Sequence, residues 1–172
     1  MKLRTILLAS LITLNLNALT IGEIPQQVSI ANENGGLVKD GGVWSSETIK
    51  DKVMVMFYVD PDEKDLNNKF SAALKEKKYN RENYASLAVI NLAASWKPNF
   101  AIESALKSKQ EEFPDTVYVK DKNRVLVEAW GLRDDSSDVI IFDKAGKVIF
   151  QKDGQMLEAE IIQALELIEA NI

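Results

Sequence analysis

Asp60, Asp62 and Glu63 fall in the stretch "VMVMFYVDPDEKDLNNKF", Val53 to Phe70, where an apolar run of strand length meets a Pro-containing acidic turn and then an amphipathic, helix-like segment. Carboxylates at such a join have two uses. They can accept hydrogen bonds from the orphan N–H groups at a helix start and interact favourably with its dipole, each contributing roughly 0.3 to 2 kcal/mol. They also suit a divalent cation, and Asp60-x-Asp62 begins like a calcium loop. Lys64 and Asp65 then occupy the next ligand and the glycine positions, so the loop pattern fails and no metal site is expected.

Ser136-Ser137, preceded by Asp134 and Asp135, is the second polar cluster. A serine nucleophile needs a base, and a chain with no histidine offers only lysine; Lys64 and Lys97 are available, but no spacing selects them. Asp134 and Ser136 also read as caps of a turn before a strand. With neither His nor Cys, a zinc site is poorly served and thiol exchange is excluded. Paired carboxylates for hydrolysis remain, among many acidic residues. Trp44, Trp96 and Trp130 read first as core or edge packing, with Trp96 and Trp130 as the ones to line a binding surface.

The elements that must position these groups follow from periodicity. "IGEIPQQVSIANENGGLVKDGGVWSSETIKDK" reads as an irregular strand and hairpin lead-in with two glycine pairs, and Ser45 or Ser46 caps a short helical turn before Lys52. A strand at Val53 to Val59, a turn at Asp60 to Glu63 and a helix to about Lys78 come next. Ala85 to Ala93 is a second buried strand, parallel to the first. "NFAIESALKSKQEEF" has helical spacing and stops before Pro114. "TVYVKDKNRVLVEAW" reads as a hairpin-like pair about Asp121 to Asn123. "DVIIFDKAGKVIFQKDG" is two β runs about Lys144-Ala145-Gly146, and a closing helix carries Leu157, Ile161, Ile162, Leu165 and Ile168 on one face. The order implies an α/β domain whose mixed sheet has parallel first strands, an antiparallel C-terminal hairpin and helices on both faces.

Of 172 residues, 46% are hydrophobic and 27% charged, as expected of one globular domain with a real core. The start, "MKLRTILLASLITLNLNALT", has Lys2 and Arg4, an apolar stretch from Ile6 to Leu16 and then small and polar residues. That is the layout of a secretory leader, expected to be cleaved after Ala18 and too short to span a bilayer. Residues 1–18 are thus read as signal and 19–172 as one domain, with no stable membrane insertion after cleavage. Without Lys2 and Arg4, 19 basic residues face 26 acidic ones, and the formal charge moves from -5 to -7. With no basic stripe, such a chain is not expected to bind nucleic acid.

The element order, with "FDKAGKVIFQKDG" before a terminal helix, resembles the thioredoxin-like fold of exported thiol-disulfide proteins. More narrowly, "AWGLRDDSSDVIIFDKAGKVIFQKDG" is similar to the YtfJ family of small exported bacterial proteins, through Trp130, Leu132, Ser136-Ser137, Asp143, Gly146 and Lys152-Asp153-Gly154, with an "IGEIP"-like lead-in at Ile21 to Pro25. The resemblance implies a periplasmic location. It also places "DPDEKDL", Asp60 to Leu66, where redox-active relatives carry a Cys-x-x-Cys pair, and Ser136-Ser137 where they carry a cis-proline; a trans bond is expected here.

The resulting expectation is a periplasmic binding or interaction module without a cofactor, offering a groove of Asp60, Asp62, Trp96, Trp130, Asp135, Ser136 and Ser137 to a peptide or envelope protein. The alternative is a carboxylate hydrolase, with or without a bound cation, in which Asp60, Asp62 and Asp135 converge in a pocket with their pKa values pushed apart. No catalytic residue is assigned. A third reading is an envelope stability factor with a flat surface.

Overall fold

The computed structural model describes residues 18–172, so the leader expectation rests on residues almost all of which lie outside the described ones. Among the described residues the order is β1 (Ser29–Ile30), β2 (Gly35–Leu37), β3 (Trp44–Ser45), β4 (Val53–Val59), α1 (Asn68–Lys77), β5 (Tyr84–Asn91), α2 (Asn99–Glu112), β6 (Thr116–Asp121), α3 (Val125–Trp130), β7 (Ser137–Phe142), β8 (Val148–Lys152) and α4 (Glu158–Asn171). No described helix is long and apolar enough to cross a membrane.

Six strands make one sheet in the order β2-β6-β5-β4-β7-β8. The pairs β4–β5 and β5–β6 are parallel, whereas β4–β7, β7–β8 and β2–β6 are antiparallel. This is the mixed α/β sheet that the sequence implied. β4 lies inside it because its seven residues are all apolar or aromatic and both its faces are covered. Val53, Val55, Phe57 and Val59 face α1, α2 and α4 through Phe70, Leu74, Ile102, Leu106, Ile161 and Ile168. Met54, Met56 and Tyr58 face the other way, onto Leu126 and Trp130 of α3 and onto Ile30, Trp44 and Ile49 of the lead-in.

The lead-in closes as a β1–β3 pair, while β2 attaches to the edge of β6. Gly35 permits that approach: its φ is +117°, and a Cβ there would lie 2.0 Å from the Lys120 carbonyl oxygen. Ser45 caps the short helical turn Ser46–Thr48, as expected, by accepting a hydrogen bond from the Glu47 N–H at 3.3 Å.

Two local expectations are corrected. The second half of "TVYVKDKNRVLVEAW" is not a strand but the helix α3, because the Asp121 carboxylate accepts hydrogen bonds from the N–H groups of Asn123, Val125 and Leu126 and so caps its start. Leu126 and Trp130, four residues apart, then bury one helix face. The helix after the acidic turn begins only at Asn68, beyond a run of turns. Asp60, Asp62 and Glu63 therefore stand too far upstream to cap it.

Candidate functional site

Val59 at the end of β4 pairs with Ser137 at the start of β7, and one residue further the Asp60 N–H donates to the Ser136 carbonyl at 2.8 Å. The acidic turn and the serine pair thus meet at one corner of the sheet. Asp60 is 5% exposed, and its Oδ1 accepts from the Asp62 N–H at 2.8 Å. Burial raises its pKa above the usual carboxylate range; the Asp62 N–H opposes that rise, and the Asp62 and Asp135 charges add to it. Asp62 moves the other way, held low by Lys97, which bonds its carboxylate, and then by the Ser95 hydroxyl, which donates at 2.9 Å.

The Ser95–Lys97 loop that reaches Asp62 also carries Trp96, 84% exposed, with Phe100 at the start of α2, 77% exposed. Asp135 is exposed at the same corner. The serines are not. Ser137 is buried; its carbonyl and hydroxyl oxygens accept from the Asn67 side-chain amide at 3.0 and 3.3 Å. Ser136 is buried too, and its hydroxyl donates to Asp153 at 2.9 Å. Neither hydroxyl is poised as a nucleophile, and Lys97, one of the two candidate bases, is occupied by Asp62. No cis peptide bond occurs among the described residues.

Trp130 is corrected as a groove residue. It is 1% exposed because α3 turns it into the core, edge-on to Trp44 with ring centroids 6.4 Å apart, its Nε1–H bonded to the Gln26 carbonyl at 2.8 Å. What little it presents lines a cleft of about 290 Å³ at the opposite end of the sheet, with Ile24, Pro25, Ile49, Phe142 and Gly146. The convergence required for a carboxylate hydrolase is only half met. Asp60 and Asp62 do diverge in pKa, but the Asp62 carboxylate is already paired with Lys97, and among the described residues no group of three or more His, Cys, Asp or Glu is placed to hold a metal.

Directly behind the corner lies a feature the sequence reading missed. Tyr58, Asn91, Asp121 and Asp138 sit one on each of the four central strands, on the α3 face, and none is more than 1% exposed. The Tyr58 hydroxyl donates to Asp121 at 3.1 Å, and burial, reinforced by Asp121, drives its pKa well above the usual phenol range. Asn91 donates to the Asp134 carbonyl and carboxylate, which Arg124 also pairs. Asp138 accepts from the Arg133 N–H at 2.9 Å. One oxygen of Asn91 and one of Asp138 have no partner. The available signal was modest: Tyr58, Asn91 and Asp121 are polar groups at the ends of apolar runs, on the inward phase of each strand.

A mixed sheet with this strand order, covered by helices on both faces, is a thioredoxin-like fold. The crystal structure of a thiol-disulfide isomerase from Corynebacterium glutamicum shares it, with a TM-score of 0.60 and 16% identity over 88% of this chain and 95% of that one. With no cysteine in the chain, thiol redox chemistry is absent from this version of the fold.

Two relatives narrow the class. An uncharacterized protein of Haemophilus influenzae is 30% identical over 129 residues, and the uncharacterized protein YtfJ of Escherichia coli is 28% identical over 129 residues, in each case 73% of this chain and 70% of the relative. The family model described as "Bacterial protein of unknown function (YtfJ_HI0045)" matches residues 23–171, and the chain belongs to that family.

Proposed function

We propose that this protein is an exported, periplasmic interaction module that receives an extended peptide segment of an envelope protein at the corner formed by Asp60, Asp62, Trp96, Phe100 and Asp135, with the Ser136-Ser137 backbone as its wall. The observation that carries the reading is the exposure of Trp96 (84%) on the loop that bonds Asp62, with Phe100 (77%) exposed at the start of the helix that follows. Large aromatics clustered at a polar rim are the usual anchors of recognition surfaces. The leader-like start of the chain supports export.

Peptide addition to a sheet edge is the less suitable mode for this molecule. The β8 edge is partly covered, since Gly22 and Glu23 exchange backbone hydrogen bonds with Val148, and β2 at the other edge is three residues long.

An array of random peptides probed with the wild-type chain and with a Trp96→Ala/Asp135→Asn double variant tests the reading. Peptides selected by the wild type are expected to lose at least tenfold in affinity for the variant, roughly 1.4 kcal/mol or more. Unchanged binding of the same peptides would remove the corner as the recognition surface.

A further inference from the structure

In the β7–β8 ladder Val139 lies opposite Lys152, so the next pair outward sets Asp138 opposite Asp153 on the α3 face. Two like charges facing each other across an antiparallel pair repel, and a buried anion without full hydrogen bonding is costly. Asp138 is in that position. It is 1% exposed, its Oδ2 accepts from the Arg133 N–H at 2.9 Å, and its Oδ1 has no partner. Its neighbour Asp153 has a half-exposed side chain that accepts from the Ser136 hydroxyl at 2.9 Å and pairs with the Arg133 guanidinium at 3.4 Å.

One proton resolves these conflicts together. Placed on Asp138 Oδ1, it removes the buried charge, removes the like-charge contact and turns the orphan acceptor into a donor for Asp153. The geometry points to Asp138 and Asp153 as an acid–carboxylate pair that holds a single proton between them and thereby fixes the wall of the binding corner. The regulatory half of this inference rests on the function proposed above; the pair itself does not.

The surrounding groups agree. Burial raises Asp138 to about 7, opposed by the Arg133 N–H and reinforced by Asp153. From β4, Tyr58 gives its hydroxyl proton to Asp121 and leaves none for Asp138. From the loop before β7 the Arg133 guanidinium is drawn to Asp153. Asp153, partly in solvent, is the route by which the proton comes and goes.

Loss of that proton leaves two carboxylates facing each other, and the half-exposed Asp153 is the one free to turn outward. It would then release the Ser136 hydroxyl. Ser136 holds Asp60 through its carbonyl, and Gly154, next to Asp153, holds Asn67 at 3.1 Å. The wall therefore loosens above neutral pH and is fixed below it.

The test is an NMR titration of the full chain from pH 3 to 9, following the Asp138 and Asp153 carboxyl carbons and the amides of Ser136, Ser137 and Gly154. Two separate steps are expected for the pair, the upper one near neutrality, with the three amides moving in it. Asp138→Asn, whose amide imitates the protonated acid, should abolish the upper step and make those amides insensitive to pH between 6 and 8. Asp153→Asn should shift the Asp138 step downward. Titration of both carboxyls below pH 5, or an upper step that the wall amides do not follow, overturns the inference. Because no peptide is involved, this measurement can fail while peptide capture succeeds, and the reverse.

Discussion

The two flanks of the buried polar row hold the same residue type at the same depth and treat it in opposite ways. On the β6 flank, Asp121 accepts from the Tyr58 hydroxyl and from three backbone N–H groups, so its charge is spread over four donors at the start of α3. On the β7 flank, Asp138 has one backbone donor, an orphan oxygen and a second carboxylate opposite. A charged group that is fully bonded acts as a structural rivet, while one that is underbonded becomes sensitive to its proton. The difference locates stability on one side of the row and responsiveness on the other.

Breaking the saturated flank should have the largest effect. Asp121→Ala leaves the Tyr58 hydroxyl and three N–H groups without an acceptor and removes the cap of α3, and is expected to destabilise the fold by about 4 kcal/mol in urea unfolding. A loss under about 1 kcal/mol would mean that water replaces the carboxylate with ease. Asn67→Ala tests the hinge between the corner and the responsive flank. Its side chain donates to the Ser137 and Gly154 carbonyls and accepts from the Met156 N–H, tying α1, β7 and the entry to α4. About 3 kcal/mol should be lost by the same measurement, since three backbone groups lose their partner at once.

These residues also show what was legible in the chain. The run Val53–Val59 and the pair of β runs around Lys144-Ala145-Gly146 are written locally, in apolar periodicity and turn chemistry, and they were read directly. The meeting of Asp60 with Ser136 was not local; the likeness to a known fold supplied it. Asp121-Lys122-Asn123 is ambiguous, because an aspartate that opens a turn and one that caps a helix look alike in sequence, and Val125 and Val127 favour strand. Tertiary packing of Leu126 and Trp130 decided for helix, and the misreading of Trp130 as a rim residue followed from that one choice. Asn67 gave no signal, since its partners lie 70 to 89 residues away.

The responsive flank can be sharpened by pH. Between the ordinary aspartate range and about 7, the folded chain keeps the Asp138 proton that the unfolded chain has already released. Unfolding then frees a proton, and this group's contribution falls by roughly 1.4 kcal/mol per pH unit until both states are ionised. The stabilising contribution is complete at acid pH and gone above the folded-state value. Asp60, also raised, adds a trend of the same sign, whereas Asp62, Glu103, Glu160 and Glu169, all lowered, oppose it. The difference between wild type and Asp138→Asn isolates the one group. That variant should be indistinguishable from wild type near pH 4 and about 4 kcal/mol more stable than it at pH 8, the slope above summed over about three pH units. Equal gains at both values would assign the effect to packing and not to the proton.

The smallest effect on stability is expected at the residue given the largest role in recognition. Trp96 leaves 84% of its surface in water, and its loop is held through Ser95 and Lys97, which bond Asp62 with or without the indole. Trp96→Ala should therefore change unfolding free energy by no more than about 0.5 kcal/mol. Trp130→Ala, the same chemical deletion made in the core against Trp44 and Phe142, should lose about 4 kcal/mol. If Trp96→Ala destabilised comparably, the indole would be part of the fold. Near-neutral stability combined with weakened peptide capture would instead mean that the corner keeps an aromatic in solvent, against the hydrophobic preference, for a partner to cover.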